Sequence, residues 1–127
     1  MKLTLEGVGK SFLFDTALLL AMIEACGGSQ SLGIYLDVGN STRGGMDPAA
    51  EIQGAGSRAL LCHVKDWNPN DSLGRRLGAG AVDFPRSLAA LVAIGYDGYL
   101  LVELPPNPTD DDLVARRSVE FMAVLVD

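Results

Sequence analysis

Four short, apolar, β-prone runs alternate along this chain with four helical patterns, and that order restricts the fold more than any other feature. The first run is Leu3 to Glu6. A helix follows, opened by Asp15 as N-cap, reaching Ala25 and ended by Gly27-Gly28. The second run, Gly33 to Val38, contains Ile34, Tyr35 and Leu36 and reads as a strand buried on both faces. Asp47-Pro48 is an N-cap with proline at the first helical position, for a short helix through about Gly54. Ala59 to Lys65 is the third run, and Trp67 to Ala81 is the longest loop. Asp83 caps a helix over Phe84 to Ile94 that Gly95 closes. Tyr99 to Leu104 is the fourth run, then comes a turn at Pro105-Pro106-Asn107-Pro108, and Asp110 to Val126 is an amphipathic helix. Regular β-α alternation predicts a parallel sheet with right-handed crossovers, here a (βα)4 unit. No linker divides residues 1–127, so a single domain is expected.

Composition narrows the function classes. With 48% apolar and 20% charged residues, the chain can bury a core and does not read as disordered. A net charge of -6 argues against a nucleic-acid backbone as partner, because phosphate neutralisation needs a basic face. Cys26 and Cys62 form no Cys-x-x-Cys pair and sit among apolar residues, so both read as buried free thiols. The apolar run Ala17 to Ile23 is bracketed by Asp15 and Glu24 with no cleavage site after it, and no stretch reaches the ~20 apolar residues that span a bilayer. A cytoplasmic protein with no membrane partner is the expectation.

The polar residues fall in a pattern of their own. Each strand carries an acidic or imidazole group at or near its C-terminal end: Glu6, Asp37, His63 (with Asp66 just beyond) and Glu103. Parallel α/β folds gather those ends on one rim, where ligands bind. Three carboxylates and one imidazole suit Mn2+, Mg2+ or Co2+, and Zn2+ less well. Without a cation, three anions held close together repel. Each residue also has a plainer explanation. Glu6 is a strand end facing solvent, Asp37 caps a turn at Val38-Gly39-Asn40, and His63 is a satisfied core histidine. Glu103, between Val102 and Leu104, fits such an explanation least, because an unpaired carboxylate in an apolar strand is costly. Four coincidences at equivalent positions are harder to accept than one.

The segments Leu36-Asp37-Val38-Gly39-Asn40, His63-Val64-Lys65-Asp66, Leu77-Gly78-Ala79-Gly80-Ala81-Val82-Asp83-Phe84, Gly95-Tyr96-Asp97-Gly98 and Val102-Glu103 together resemble the xylose isomerase-like TIM-barrel family. Its members include sugar-phosphate isomerases and epimerases and endonuclease IV. The resemblance covers essentially the whole chain and implies strands five to eight of a (β/α)8 barrel, helices outside. It implies that Glu6, Asp37, His63 and Glu103 hold a divalent metal. It also implies that Glu6 and Glu103 move protons on opposite faces of a sugar or sugar phosphate through an ene-diolate. Asn40, Lys65, Asp66, Arg75 and Arg76 are the implied substrate contacts. Two departures stand out. The family's Gly-Glu-Gly reads Gly78-Ala79-Gly80, and Asn40 replaces a histidine found in the endonuclease and some epimerases. A single histidine cannot build an endonuclease-type trinuclear zinc site, which disfavours DNA repair.

Two rival readings stay open at this level. Gly7-Val8-Gly9-Lys10-Ser11 sits where a nucleotide-binding P-loop would, but Thr4 occupies the place of its first glycine. The other rival is a scaffold or partner-binding module without catalysis, because a complete barrel takes ~250 residues. A (βα)4 unit has two open edges; Leu3 to Leu5 and Tyr99 to Val102 carry no protective Lys or Pro. The chain is therefore expected to be part of a longer product, or to pair with an identical copy into a closed barrel, or to keep the scaffold for another role.

Overall fold

The computed structural model describes residues 1–8, 15–70, 76–104 and 111–126, with only the backbone of Asp111. Strands β1 (Leu3–Glu6), β2 (Leu32–Asp37), β3 (Ala59–Val64) and β4 (Leu100–Val102) form one sheet in the order β1-β2-β3-β4. Every pairing is parallel. Each step along the sheet goes in the same direction, so right-handed crossovers place every helix on one face. These helices are α1 (Thr16–Ala25), α2 (Val38–Gly44), α3 (Pro48–Ala55), α4 (Phe84–Ala93) and α5 (Asp111–Val126).

Alternation along the strands divides the side chains between two faces. On the helix side, Ile34 and Leu36 of β2 and Cys62 and Val64 of β3 join Leu19 and Ile23 of α1, Ile52 of α3 and Leu91 of α4 in one core. On the other side lie Tyr35, paired with Leu61, and Leu101, paired with His63 and 37% exposed. A register shift between Ile34 and Tyr35 adds one residue to β3 and brings Asp37 beside His63 on that second face.

Local chemistry sets the helix boundaries. Asp15, Asp47 and Asp83 accept N-cap hydrogen bonds from Leu18, Ala49 and Arg86. Glu51 of α3 accepts the backbone N–H of Thr16 at 2.6 Å, which fastens the start of α1 to α3. Gly27, Gly56 and Gly95 follow their helices with positive φ, as expected of glycine stops.

Three expectations change. The residues after β2 are not a plain loop: Val38–Gly44 is a helix whose N-cap is Asp37, the last residue of the strand. Val38 therefore belongs to α2, not β2. The fourth strand is Leu100–Val102 rather than Tyr99 to Leu104, although the Glu103 N–H still donates to Val64 O at 3.2 Å. Cys62 is buried as expected, but Cys26 is exposed, because it caps the end of α1 where no other element covers it. The Gly9-Lys10-Ser11 segment, Arg75 and the Pro105 to Pro108 turn lie outside the described residues. Among the described residues no helix is long and apolar enough to cross a membrane.

Candidate metal centre

The C-terminal ends of all four strands contribute to one cluster. Glu6 ends β1, Asp37 ends β2, His63 is next to last in β3, and Glu103 follows β4 directly. One donor atom from each lies within 4.8 Å of all the others. His63 Nδ1 is the hub, 3.2 Å from Glu103 Oε2, 3.4 Å from Glu6 Oε1 and 3.8 Å from Asp37 Oδ2. The Tyr35 ring lies beside the His63 imidazole, centroids 4.2 Å apart, and restricts its tilt. Burial, with help from the charge of Glu6, raises the pKa of the Tyr35 phenol.

Asp37 has two tasks. Oδ1 accepts the Asn40 backbone N–H at 2.8 Å and caps α2. Oδ2 turns into the cluster, fully shielded from solvent and without a hydrogen-bond partner. Burial pushes the Asp37 carboxyl up to about 6, against the Asn40 N–H and the Lys65 charge, which pull it down. The charges of Glu103 and Glu6 add to the rise. His63 Nδ1 is likewise buried with no hydrogen-bond partner.

A ring nitrogen and a carboxylate oxygen aimed at the same point, with two more carboxylates beside them, need a cation or a proton between them. Two orphaned buried donors, flanked by two more carboxylates, therefore fit a divalent metal well. The capping role read for Asp37 is present, and it uses Oδ1, which leaves Oδ2 to the cluster.

Lys65 Nζ donates to Glu103 Oε1 at 2.7 Å and lies 3.9 Å from Asp37 Oδ2, which places it beside the cluster. Asn40 Nδ2 reaches Glu6 Oε1 and Gly7 O, each at 3.4 Å, so this buried amide orients a member of the cluster. Asp66 is corrected. It is 3% exposed, and both its oxygens are taken by backbone N–H groups: Trp67 and Val82 on Oδ1, Gly78 and Gly80 on Oδ2. That saturation leaves it no free acceptor for a substrate, and its role is to fold the long loop. The same contacts explain the glycines. Gly78 has φ +80, and a Cβ on Gly80 would lie 2.2 Å from Asp66 Oδ1. Ala79 between them is exposed and takes no part in this cradle. Arg76 is exposed, and among the described residues no hydrogen bond or ion pair joins it to the cluster.

The family profile described as xylose isomerase-like TIM barrel matches residues 1–125. L-ribulose-5-phosphate 3-epimerase UlaE of Salmonella paratyphi A is 32% identical over 91 residues, 68% of this chain and 32% of the relative. The enzyme of that name from Escherichia coli is 29% identical over 104 residues, 78% of this chain and 37% of its own length. Among solved structures, an L-ribulose 3-epimerase superposes with a TM-score of 0.85 at 25% identity, covering 99% of this chain and 47% of that one. A D-allulose 3-epimerase from Methylomonas sp. in complex with D-allulose gives 0.82 at 22% identity, over 98% and 48%, and supports the fold alone. The chain thus spans about a third of the length of these curated relatives and about half of these solved chains.

Proposed function

We propose that this chain, which belongs to the xylose isomerase-like TIM-barrel family, carries the metal-binding and proton-transferring half of a ketose or ketose-phosphate epimerase. The observation that carries the reading is the pair of buried, unpartnered donors, Asp37 Oδ2 and His63 Nδ1, inside a cluster of three carboxylates and one imidazole. Glu6, Asp37, His63 and Glu103 would hold the ion, with Mn2+, Mg2+ or Co2+ favoured and Zn2+ possible. When bound, a divalent cation supplies polarisation of a sugar carbonyl and its neighbouring hydroxyl.

The remaining chemistry belongs to side chains. Glu6 and Glu103 sit at opposite ends of the sheet, one on β1 and one after β4, and their carboxylates converge on the same point. That placement suits one to remove the proton next to a carbonyl and the other to return it from the opposite side, with an ene-diolate between. Lys65 offers a positive charge beside the cluster that could stabilise a developing oxyanion. The 3-epimerase names of the relatives favour epimerisation over aldose-ketose isomerisation. The P-loop reading leaves His63 and Glu103 without a role, which favours the epimerase reading.

Both edges of the sheet are unpaired in the described chain, which supports closure by a second (βα)4 unit. A second copy of the chain can supply that unit. Metal analysis of the purified chain after loading with Mn2+ tests the reading, with Glu103→Gln beside it. One divalent ion per chain, lost in the variant, is expected. A chain that retains no divalent metal under any loading condition cannot be the catalytic half. Metal bound without exchange of a ketose carbon-bound proton for solvent deuterium would favour the scaffold reading.

A further inference from the structure

The geometry points to Lys65 as a positioning residue that restricts Glu103 to one oxygen at the metal centre and so sets which divalent cation the centre prefers. This inference rests on the metal-binding reading above.

The two glutamates of the cluster are held differently. Besides His63 Nδ1, the contact that Glu6 Oε1 makes among the described residues is a long one from the neutral Asn40 amide, at 3.4 Å. Glu103 Oε1 is held at 2.7 Å by the Lys65 ammonium, which leaves Oε2 facing His63 Nδ1 at 3.2 Å. The ion pair is partly screened by its surroundings, with side-chain exposures of 28% for Lys65 and 37% for Glu103. A short charge-assisted hydrogen bond of this kind is stronger than a neutral one and fixes the rotation of the carboxylate.

Lys65 is itself directed by a close approach of backbone. A Cβ on Gly39, in the first turn of α2, would lie 2.6 Å from Lys65 O and 3.0 Å from Lys65 Cγ. Only glycine lets α2 lie against the lysine stem there. The glycine of the Asp37 to Asn40 segment and the lysine after His63 therefore form one device, in which α2 supports the stem and the head holds Glu103.

A carboxylate with one oxygen taken by an ammonium presents a single oxygen to a metal. Ca2+ prefers six to eight oxygens and readily takes both oxygens of a carboxylate, whereas smaller ions accept fewer ligands in stricter geometry. Holding Glu103 to one oxygen keeps the number of protein ligands low and disfavours Ca2+ against Mn2+. Loss of the lysine charge alone would raise the affinity for both divalent ions alike. The ratio of the two affinities therefore isolates the geometric effect.

Calorimetric titration of the full, chelator-stripped chain with MnCl2 and with CaCl2 tests this in wild type, Lys65→Met and Lys65→Arg. We expect the wild type to prefer Mn2+ and the preference to fall by about tenfold in Lys65→Met, in the range typical of changes just outside a ligand shell. Lys65→Arg, which keeps a cationic donor, should retain most of it. Should the methionine variant not fold, Lys65→Gln carries the same comparison. An unchanged ratio in the uncharged variant, or an equal loss in Lys65→Arg, overturns the inference while the metal-binding reading stands. A wild type that binds neither ion overturns both.

Discussion

Asp37 and His63 are direct partners across β2 and β3, with Oδ2 and Nδ1 3.8 Å apart, both buried and neither hydrogen-bonded. Burial of the Asp37 carboxylate weakens the metal-free fold, and the strand register that places it there is set beside the core on the other side of the sheet. A cation held there would relieve that cost.

Asp37→Asn should therefore stabilise the metal-free chain while destroying the site. The asparagine Oδ1 can still accept the Asn40 N–H and cap α2, and the buried charge is gone. Unfolding in urea with a chelator present should show a gain of about 1–2 kcal/mol. Divalent binding by the same variant should fall below detection. A loss of stability in the chelated variant would show that the carboxylate is a net asset to the fold.

Asp66 gives the opposite expectation. Four backbone N–H groups from Trp67, Gly78, Gly80 and Val82 end on its two oxygens, and removing them strands buried donors. Asp66→Ala should cost about 3 kcal/mol or more. Gly80→Ala should disturb the same loop, because its Cβ would collide with Asp66 Oδ1. Both variants should lose hydrogen-exchange protection at Gly78 and Val82 first. Ala79→Glu, at the exposed position between the glycines, should change stability by no more than about 0.5 kcal/mol. Equal protection in wild type and Gly80→Ala would show that this cradle does not order the loop.

Tyr96 links pH to the edge of the sheet. Its hydroxyl donates to Tyr99 O at 2.7 Å, immediately before β4. Burial, and then the nearby Cys62, Tyr35 and Asp97, push the phenol up to about 12. An unfolded tyrosine ionises near ~10, so between ~10 and ~12 the folded chain holds a proton that the unfolded chain has lost. The contribution is complete below ~10 and disappears as pH rises through the folded value. Urea unfolding at pH 8 should show Tyr96→Phe less stable by about 1 kcal/mol, and the difference should shrink towards pH 11. A difference that widens with pH would reverse the assignment.

The fold was legible in the sequence because its signals are local. Asp15, Asp47 and Asp83 are caps wherever they fall, and alternating β and α runs leave few topologies. The cluster was legible because topology alone brings strand ends together, so Glu6, Asp37, His63 and Glu103 could be grouped without coordinates. Helix α2 was not. Gly39, Ser41, Thr42 and Gly44-Gly45 have the composition of a loop, and only the spacing of Asp37 and Asn40 hinted at a capped turn. The role of Asp66 was hidden for a different reason. Its four donors are backbone groups, up to sixteen residues away, that leave no side-chain signature beyond two glycines. Burial of Cys26 was misjudged because an apolar neighbourhood in sequence says nothing about whether a helix end is covered.

The sheet edges supply the last prediction. β1 and β4 are the two edge strands, each paired on one side alone among the described residues, and Leu3, Leu101 and Val102 on them are 60%, 37% and 36% exposed. An edge of that character invites pairing. In a two-fold closure β4 of one copy would lie beside β1 of the other, which keeps all strands parallel and both sets of strand ends on one rim. Each copy carries a net charge of -6, so approach is opposed at long range. Sedimentation at micromolar concentration should therefore show a dimer or larger species whose population grows with salt, as the screening length shrinks from ~30 Å at 0.01 M towards ~8 Å at 0.15 M. Leu101→Lys, which turns a charge onto the uncovered face of β4, should shift the distribution to monomer without lowering helix content. A clean monomer of the unaltered chain at both salt concentrations would end the half-barrel dimer.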